Sequence, residues 1–268
     1  NINRGCYEGA YSVEEMIFET RELLANMFNA TDCKNVVFTK NVTESLNIII
    51  KGFLKSGDHV LVSSMEHNAV MRPLVQLEKS GVSFSRIPCK ETGELCLETL
   101  ASLLKPNTKA IIMTHASNVC GTVMPLKEVG EFCKNHSISF IVDTAQTAGI
   151  IPIDMQDMNI SALAFTGHKG LMGPQGTGAL LCKNDAIPLL YGGRGSASGW
   201  QTMPDFLPDR LEAGTHNMPG IAGLYEGLKF VRSRGVDAIR RHEQTLVQQA
   251  TAFLPQEATG KDQPSPKS

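Results

Sequence analysis

The stretch ALAFTGHKG, residues 162–170, joins an apolar run typical of a buried strand to a tight glycine-rich turn that contains one lysine. Further glycines follow at Gly173, Gly176 and Gly178. Glycines let a backbone approach a bulky ligand closely, and a partly desolvated lysine amine can be neutral and form a Schiff base. Lys169 is therefore a candidate covalent anchor for a cofactor. The alternative is an ordinary solvated loop lysine.

Short apolar runs alternate with helical patterns from residue 12 to about 235, which predicts βα units and a largely parallel sheet. The predicted strands are residues 36–39, 59–63, 82–87, 110–114, 140–142, 162–165 and 178–181. Helical spacing is clearest at 13–28, at 46–53, after Pro125, from Pro219 to about 231, and at 236–253. Residues 191–220 are rich in glycine and proline, which predicts a long loop of the kind that is usually functional.

Polar residues follow the predicted strands. Asp143 comes directly after residues 140–142, at the carboxyl end of a strand, where open α/β sheets build ligand sites. A carboxylate there can pair with the protonated nitrogen of a cofactor ring, or it can be a helix N-cap. Gln146, one turn later, can donate to a phenolic oxygen or can be a plain surface residue.

The segment 41–44 lies between a predicted strand and a predicted helix, so its backbone N–H groups and the Thr43 hydroxyl would converge at a helix N-terminus. That arrangement suits a phosphate, although an ordinary N-cap has the same pattern. His67 follows another strand end, and its imidazole can stack on an aromatic ring or do nothing. Asn118 is a similar, weaker candidate for contacting cofactor or substrate.

Composition narrows the ligand class. A net charge of −2 and a pI near 6.4 give no reason to expect nucleic acid or an anionic membrane surface as partner, which leaves a small molecule. Seven cysteines at irregular spacings predict reduced thiols and a cytoplasmic location. Residues 1–7 lack the features of a leader, and the apolar runs are too short to span a bilayer. No zinc framework is expected, since Cys133 and His136 lack two further ligands.

Taken together, these segments resemble the class V aminotransferase family and, within it, the cysteine desulfurase and selenocysteine lyase group. The resemblance rests on seven motifs in family order: Asn3-Arg4-Gly5, Thr43-Glu44-Ser45-Leu46-Asn47, Glu66-His67-Asn68, Ser117-Asn118-Val119, Asp143-Thr144-Ala145-Gln146, Thr166-Gly167-His168-Lys169 and Glu212-Ala213-Gly214-Thr215. It implies a three-layer α/β/α large domain of the aspartate aminotransferase type with a mostly parallel central sheet. It also implies a homodimer.

The resemblance implies pyridoxal 5'-phosphate (PLP) as cofactor and assigns a role to each site residue. Lys169 and His67 would be catalytic, the first forming the Schiff base and moving the Cα proton, the second stacking on the ring. The remaining roles are Asp143 at the pyridine nitrogen, Gln146 at the phenolic oxygen, Thr43, Thr166 and His168 at the phosphate, Thr215 at the partner subunit's phosphate, and Asn118 at the substrate carboxylate. Arg4 has a less definite role.

The implied reaction converts L-cysteine to L-alanine and leaves an enzyme persulfide for a sulfur-acceptor protein, as in iron–sulfur cluster assembly. Selenocysteine lyase or another β-eliminating activity is an alternative, and so is a PLP-binding chain without turnover. The expected organisation is a large domain over residues 1–235, a helix over 236–255 that begins a truncated C-terminal region, and a disordered tail over 256–268. The family takes its persulfide cysteine and a carboxylate-binding arginine from that C-terminal region, so neither is assigned. Arg194 stands where relatives more often have threonine.

Overall fold

The computed structural model describes residues 8–183, 186–193 and 199–252. The motif at residues 3–5, Arg194 and the tail over 256–268 lie outside the described residues. The helices are α1 (Glu8–Met27), α2 (Val42–Phe53), α3 (Asn68–Glu78), α4 (Leu100–Leu103), α5 (Leu126–Asn135), α6 (Met218–Arg234) and α7 (Val236–Ala252). The strands are β1 (Val36–Thr39), β2 (His59–Ser63), β3 (Ser83–Ile87), β4 (Thr108–Thr114), β5 (Ser139–Asp143), β6 (Ala162–Thr166) and β7 (Gly178–Cys182).

All seven strands lie in one sheet, in the order β1-β7-β6-β5-β4-β2-β3. The pairs β2–β3, β2–β4, β4–β5 and β5–β6 are parallel. Only β7 is antiparallel to its neighbours, β1 and β6. Each predicted strand forms with its bounds shifted by no more than two residues, and the predicted α/β fold with a mostly parallel sheet is confirmed.

The sheet is buried on both faces, which is why its strands read as nearly continuous apolar runs. Alternate strand residues enter two separate hydrophobic clusters. Ile111 and Met113 join one cluster with Leu24 of α1 and Leu224 of α6. Ala110 and Ile112 join the other with residues of α2 and α3. The result is three layers, with helices covering both sides of the sheet.

Strand direction decides where a site can form. Because β7 is antiparallel to both β1 and β6, β1 points the same way as the parallel strands. The carboxyl ends of β1, β2, β4, β5 and β6 therefore meet at one edge of the sheet, the edge at which open α/β sheets bind ligands. We call this the carboxyl edge.

Helix α7 differs from the other long helices because it has no buried residue, and its main packing is along α6. The division of the chain near residue 235 stays a prediction. Within residues 8–183, 186–193 and 199–252, no helix is both long and apolar enough to cross a membrane.

Candidate functional site at the carboxyl edge

Asp143 is the last residue of β5 and is only 3% exposed. Its register partners are Thr114 of β4 and Ala164 of β6, so it lies in the middle of the sheet. Its Oδ1 accepts a 2.9 Å hydrogen bond from the backbone N–H of Ala145. The residues that follow form turns and no helix, so the N-cap alternative for Asp143 is wrong.

Burial raises the pKa of Asp143, while the Ala145 N–H and the positive charges of His67 and Lys169 oppose that rise. The two cationic side chains come from the turns after β2 and β6. The structure thus brings together three of the predicted residues around one buried carboxyl group.

His67 is the N-cap of α3, where its Nδ1 accepts a 3.0 Å hydrogen bond from the backbone N–H of Ala69. The side chain is otherwise exposed at the carboxyl edge. His67 is therefore held by the backbone, unlike a loop histidine without a structural role.

Lys169 lies exposed in the turn after β6, and the turn is closed by a 2.8 Å bond from Gly173 N to Gly167 O. At the start of this turn, the buried Thr166 shares a 2.9 Å hydrogen bond with His168 Nδ1. Thr166, His168 and Lys169 are thus on one short segment beside Asp143.

Two glycines allow the turns after β5 and β6 to pack closely against each other. A Cβ on Gly149 would lie 2.5 Å from the backbone oxygen of Gly170, and a Cβ on Gly170 would lie 2.5 Å from that of Ala148. Backbone contacts of this kind cannot relax by a side-chain rotation. The glycines in this part of the chain therefore set the distance between the Gln146 turn and the Lys169 turn.

We expect Gly149→Ala to lower the free energy of unfolding by about 2 kcal/mol more than Gly57→Ala. Both glycines have positive φ, at +82° and +92°, but a Cβ on Gly57 meets nothing within 4 Å. Gly57→Ala therefore shows the cost of backbone strain alone, and the additional loss in Gly149→Ala shows the cost of the clash. Urea denaturation measures the stability of both variants. Equal losses in the two variants would show that the turns are not in fixed contact.

Thr43 is exposed near the start of α2, but the N-cap of that helix is Asn41, whose Oδ1 accepts a 2.9 Å bond from Glu44 N. The ordinary N-cap is thus present, and Thr43 occupies the second helical position beside it. A Cβ on Gly178 would lie 2.7 Å from Phe165 O and 2.9 Å from Asn41 Cα. This close packing holds the start of α2 next to the end of β6, where Thr166 lies.

Asn118 and Gln146 are exposed on the turns after β4 and β5. Ser117 Oγ accepts bonds from the backbone N–H groups of Val119 and Cys120, which folds the turn around Asn118. Both residues lie at the carboxyl edge, as the sequence predicted, and their roles stay predictions.

Thr215 lines a pocket of about 270 Å³ beside the start of α2, to which neither Asp143 nor Lys169 contributes. The loop before it is fixed by Glu212, which forms a two-pronged ion pair with Arg21 at 2.9 Å and accepts hydrogen bonds from Phe38 N and His216 Nε2. Other residues of the pocket are Phe38, Lys40, Glu44, Leu190 and His216.

Sequence reasoning missed Glu66 as a separate part of the site. Its Oε1 accepts hydrogen bonds from Ser63 Oγ and, at 2.9 Å, from Thr114 N. Its Oε2 is buried and makes no hydrogen bond to the described residues. Burial raises the pKa of Glu66 to about 8, against the effect of the two hydrogen bonds, and the charge of Asp143 raises it further. The nearest signal in the sequence was its place beside His67.

No group of three or more potential metal-ligating side chains occurs among the residues that the structure describes.

The fold has counterparts among known proteins. Residues 1–259 match the family described as Aminotransferase class-V. The chain belongs to the class V aminotransferase family. The family resemblance and the predicted fold class are thus confirmed.

Within the class V aminotransferases, several relatives are cysteine desulfurases. The chain is 32% identical over 263 residues to a probable cysteine desulfurase of Methanothermobacter thermautotrophicus, an alignment that covers 95% of this chain and 65% of that relative. The apo cysteine desulfurase of Thermococcus onnurineus NA1 has a TM-score of 0.86 and 31% identity, covering 94% of this chain and 65% of that one. The chain therefore spans about 65% of the length of these relatives.

A third similar structure is a mutant of C-DES with glycine covalently linked to its PLP cofactor. It has a TM-score of 0.78 and 27% identity, covering 93% of this chain and 70% of that one. C-DES is described as a cystine C–S lyase in a complex with its product cysteine persulfide.

Proposed function

We propose that this chain binds PLP at the carboxyl edge and is the cofactor-binding part of a cysteine desulfurase-type enzyme. The observation that carries the proposal is the buried carboxyl group of Asp143 at the carboxyl edge, with His67 at the start of α3 and Lys169 in the turn after β6 on the strands' same edge. Burial raises the pKa of Asp143, and the charges of both residues lower it. The named relatives support the choice of cysteine as substrate.

The donor set fits PLP. A carboxylate buried in this way is stabilised by a cation, and a protonated pyridine nitrogen supplies one. An amine for the aldehyde lies on the neighbouring turn at Lys169. Hydroxyl and imidazole groups for the phosphate come from Thr43, Thr166 and His168, close to the N-terminus of α2. When bound, PLP serves as an electron sink for the charge that develops at the substrate Cα.

The protein side of the chemistry follows from these positions. Lys169 would hold the cofactor through its amine and, once the substrate amine takes that place, would accept the proton from Cα. His67, held at the start of α3, would cover one face of the ring, and Gln146 would donate to the phenolic oxygen. Asn118 would face the substrate carboxylate. Thr215 would serve the phosphate site of a second copy, consistent with a pocket to which Asp143 does not contribute.

The reaction as a whole is L-cysteine to L-alanine, with the sulfur left as an enzyme persulfide. The main alternative is a β-eliminating lyase, supported by the similarity to C-DES, and selenocysteine is an alternative substrate. A PLP-binding chain without turnover is the third candidate. The product formed from cysteine separates the three candidates: alanine indicates a desulfurase, pyruvate a β-eliminating lyase, and no product a chain without turnover. A parallel assay with selenocysteine tests the substrate.

We expect Asp143→Asn to weaken PLP binding and to lower product formation by about 100-fold, because asparagine cannot stabilise a protonated ring nitrogen. PLP titration measures the first effect and product assays the second. Asp157→Asn is the matched control, since Asp157 lies in an exposed ion pair with Lys127 that contributes little. Equal PLP affinity in Asp143→Asn and wild type would contradict the proposed site.

The proposed assembly is a homodimer in the cytoplasm that passes sulfur to an acceptor protein, with iron–sulfur cluster assembly as one destination. An exposed aromatic side chain near the Thr215 loop supports a second copy as partner: Tyr191 is 72% exposed, and its segment contacts that loop through the 3.1 Å bond from Gly214 N to Gly193 O. Sedimentation equilibrium distinguishes the dimer from a monomer.

A further inference from the structure

Glu66 connects the ends of two strands. It lies between β2 and α3, directly before His67, and its Oε1 accepts hydrogen bonds from Ser63 of β2 and from the backbone N–H of Thr114, the last residue of β4. Its other oxygen, Oε2, is buried without a hydrogen bond to the described residues. One carboxyl oxygen therefore has two donors and the other has none.

A second carboxyl group, that of Asp143, lies close to the carboxyl group of Glu66. Thr114, which donates its N–H to Glu66, is the register partner of Asp143 on β5. The carboxyl groups of Glu66 and Asp143 thus both lie at the carboxyl edge beside the end of β4, and the charge of Asp143 acts on Glu66. Two negative charges held close together in a low-dielectric interior repel each other, so such a pair retains one proton.

The groups around the pair decide which carboxyl group keeps that proton. His67, Lys169 and the Ala145 N–H favour a charge on Asp143. Glu66, in contrast, is buried and lies within reach of the negative charge of Asp143, and both effects raise its pKa. Hydrogen bonds with Ser63 and Thr114, rather than a cation, oppose that rise. The proton therefore belongs to Glu66.

We propose that Glu66 is a positioning residue that acts as a neutral carboxylic acid: its Oε1 ties the His67 segment to the end of β4, and its proton leaves the negative charge of the site on Asp143. The proton lies on Oε2, because Oε1 already accepts two hydrogen bonds. The part that concerns Asp143 and the cofactor ring rests on the proposed PLP function. The protonation itself does not.

The first test needs no cofactor. Infrared difference spectra near pH 6 should contain the carbonyl stretch of a protonated carboxyl group that is absent in Glu66→Gln, and this band should disappear as the pH rises through about 8. In Asp143→Asn the band should persist with its midpoint at lower pH, because the repelling charge is gone. A wild-type protein without the band near pH 6 would overturn the proposal.

The stability of the protein gives an independent readout. The folded-state pKa of Glu66 lies above its ordinary value of 4.5, so the folded protein binds the proton more tightly than the unfolded chain. The resulting stabilisation is present at low pH and is lost as the pH rises through about 8. Between pH 4.5 and about 8, the urea midpoint of the wild type should fall relative to that of Glu66→Gln. A constant difference between the two proteins contradicts a titrating Glu66.

The positioning role is tested with PLP. Glutamine keeps the oxygen that accepts from Ser63 and Thr114 and remains neutral, so Glu66→Gln should bind PLP within about twofold of wild type and keep the visible circular dichroism of the bound cofactor. Glu66→Ala removes the tie and should weaken binding about tenfold. Equal losses in the two variants would overturn the neutral-acid role. Absence of PLP binding in the wild type would reject the proposed function, while the infrared titration would still decide the protonation of Glu66.

Discussion

Lys169→Ala is expected to abolish the visible absorbance band that forms when the protein is incubated with PLP. Alanine has no amine to bond the cofactor, and no other lysine is directed at Asp143 among the described residues. Product formation from cysteine, where the wild type has it, should fall at least 100-fold, because the same amine moves the Cα proton. Absorbance spectra and a product assay measure the two effects.

The control for this variant is Lys134→Ala. Lys134 lies exposed in the last turn of α5, before the start of β5 and thus on the opposite side of the sheet from the carboxyl edge. The band should be unchanged in that protein. A band of wild-type intensity in Lys169→Ala would mean that another amine bonds the cofactor and would remove the central assignment.

Arg21→Met should lower the free energy of unfolding by about 3–5 kcal/mol. The Arg21 guanidinium forms a two-pronged ion pair with the buried Glu212, donates to Val36 O and lies 4.3 Å above the ring of Phe38. Methionine fills much of the volume but leaves a buried carboxylate without its guanidinium. Urea denaturation measures the loss.

Two further variants test the cause. Arg21→Met combined with Glu212→Gln should recover part of the loss, because a neutral amide can still accept from Phe38 N and no longer carries a buried charge. Lys90→Met, which removes the exposed Lys90–Glu94 pair, should change stability by less than about 1 kcal/mol. A small loss in Arg21→Met would mean that Glu212 does not depend on the guanidinium.

Much of the carboxyl edge could be predicted from local patterns. Strands buried on both faces are short apolar runs, and the polar residue after each run, such as Asp143 or His67, must then lie at a strand end. The antiparallel direction of β7 could also have been predicted from the sequence, but it was not. Residues 167–177 are too few for the crossover that a parallel strand needs, and they contain no helix, so β7 returns antiparallel to β6.

The remainder depends on contacts between distant parts of the chain. Arg21 and Glu212 are 191 positions apart, and no periodicity relates them. Glu66 appeared in the sequence only as the neighbour of His67, since its burial results from the end of β4, which lies 48 positions away. Family resemblance assigned Thr215 to the partner subunit's phosphate, and within one chain it lines a pocket to which Asp143 and Lys169 do not contribute.

The position of β7 has a consequence for the order of events during synthesis. β1 pairs in the sheet only with β7, from Val36 opposite Leu181 to Thr39 opposite Gly178. A nascent chain that ends before Gly178 can form the parallel strands β2 to β6, but β1 has no strand with which to pair. The strand that leads into α2 therefore joins the sheet only after β7 has left the ribosome, and the last strand to be made completes the edge that would receive the cofactor.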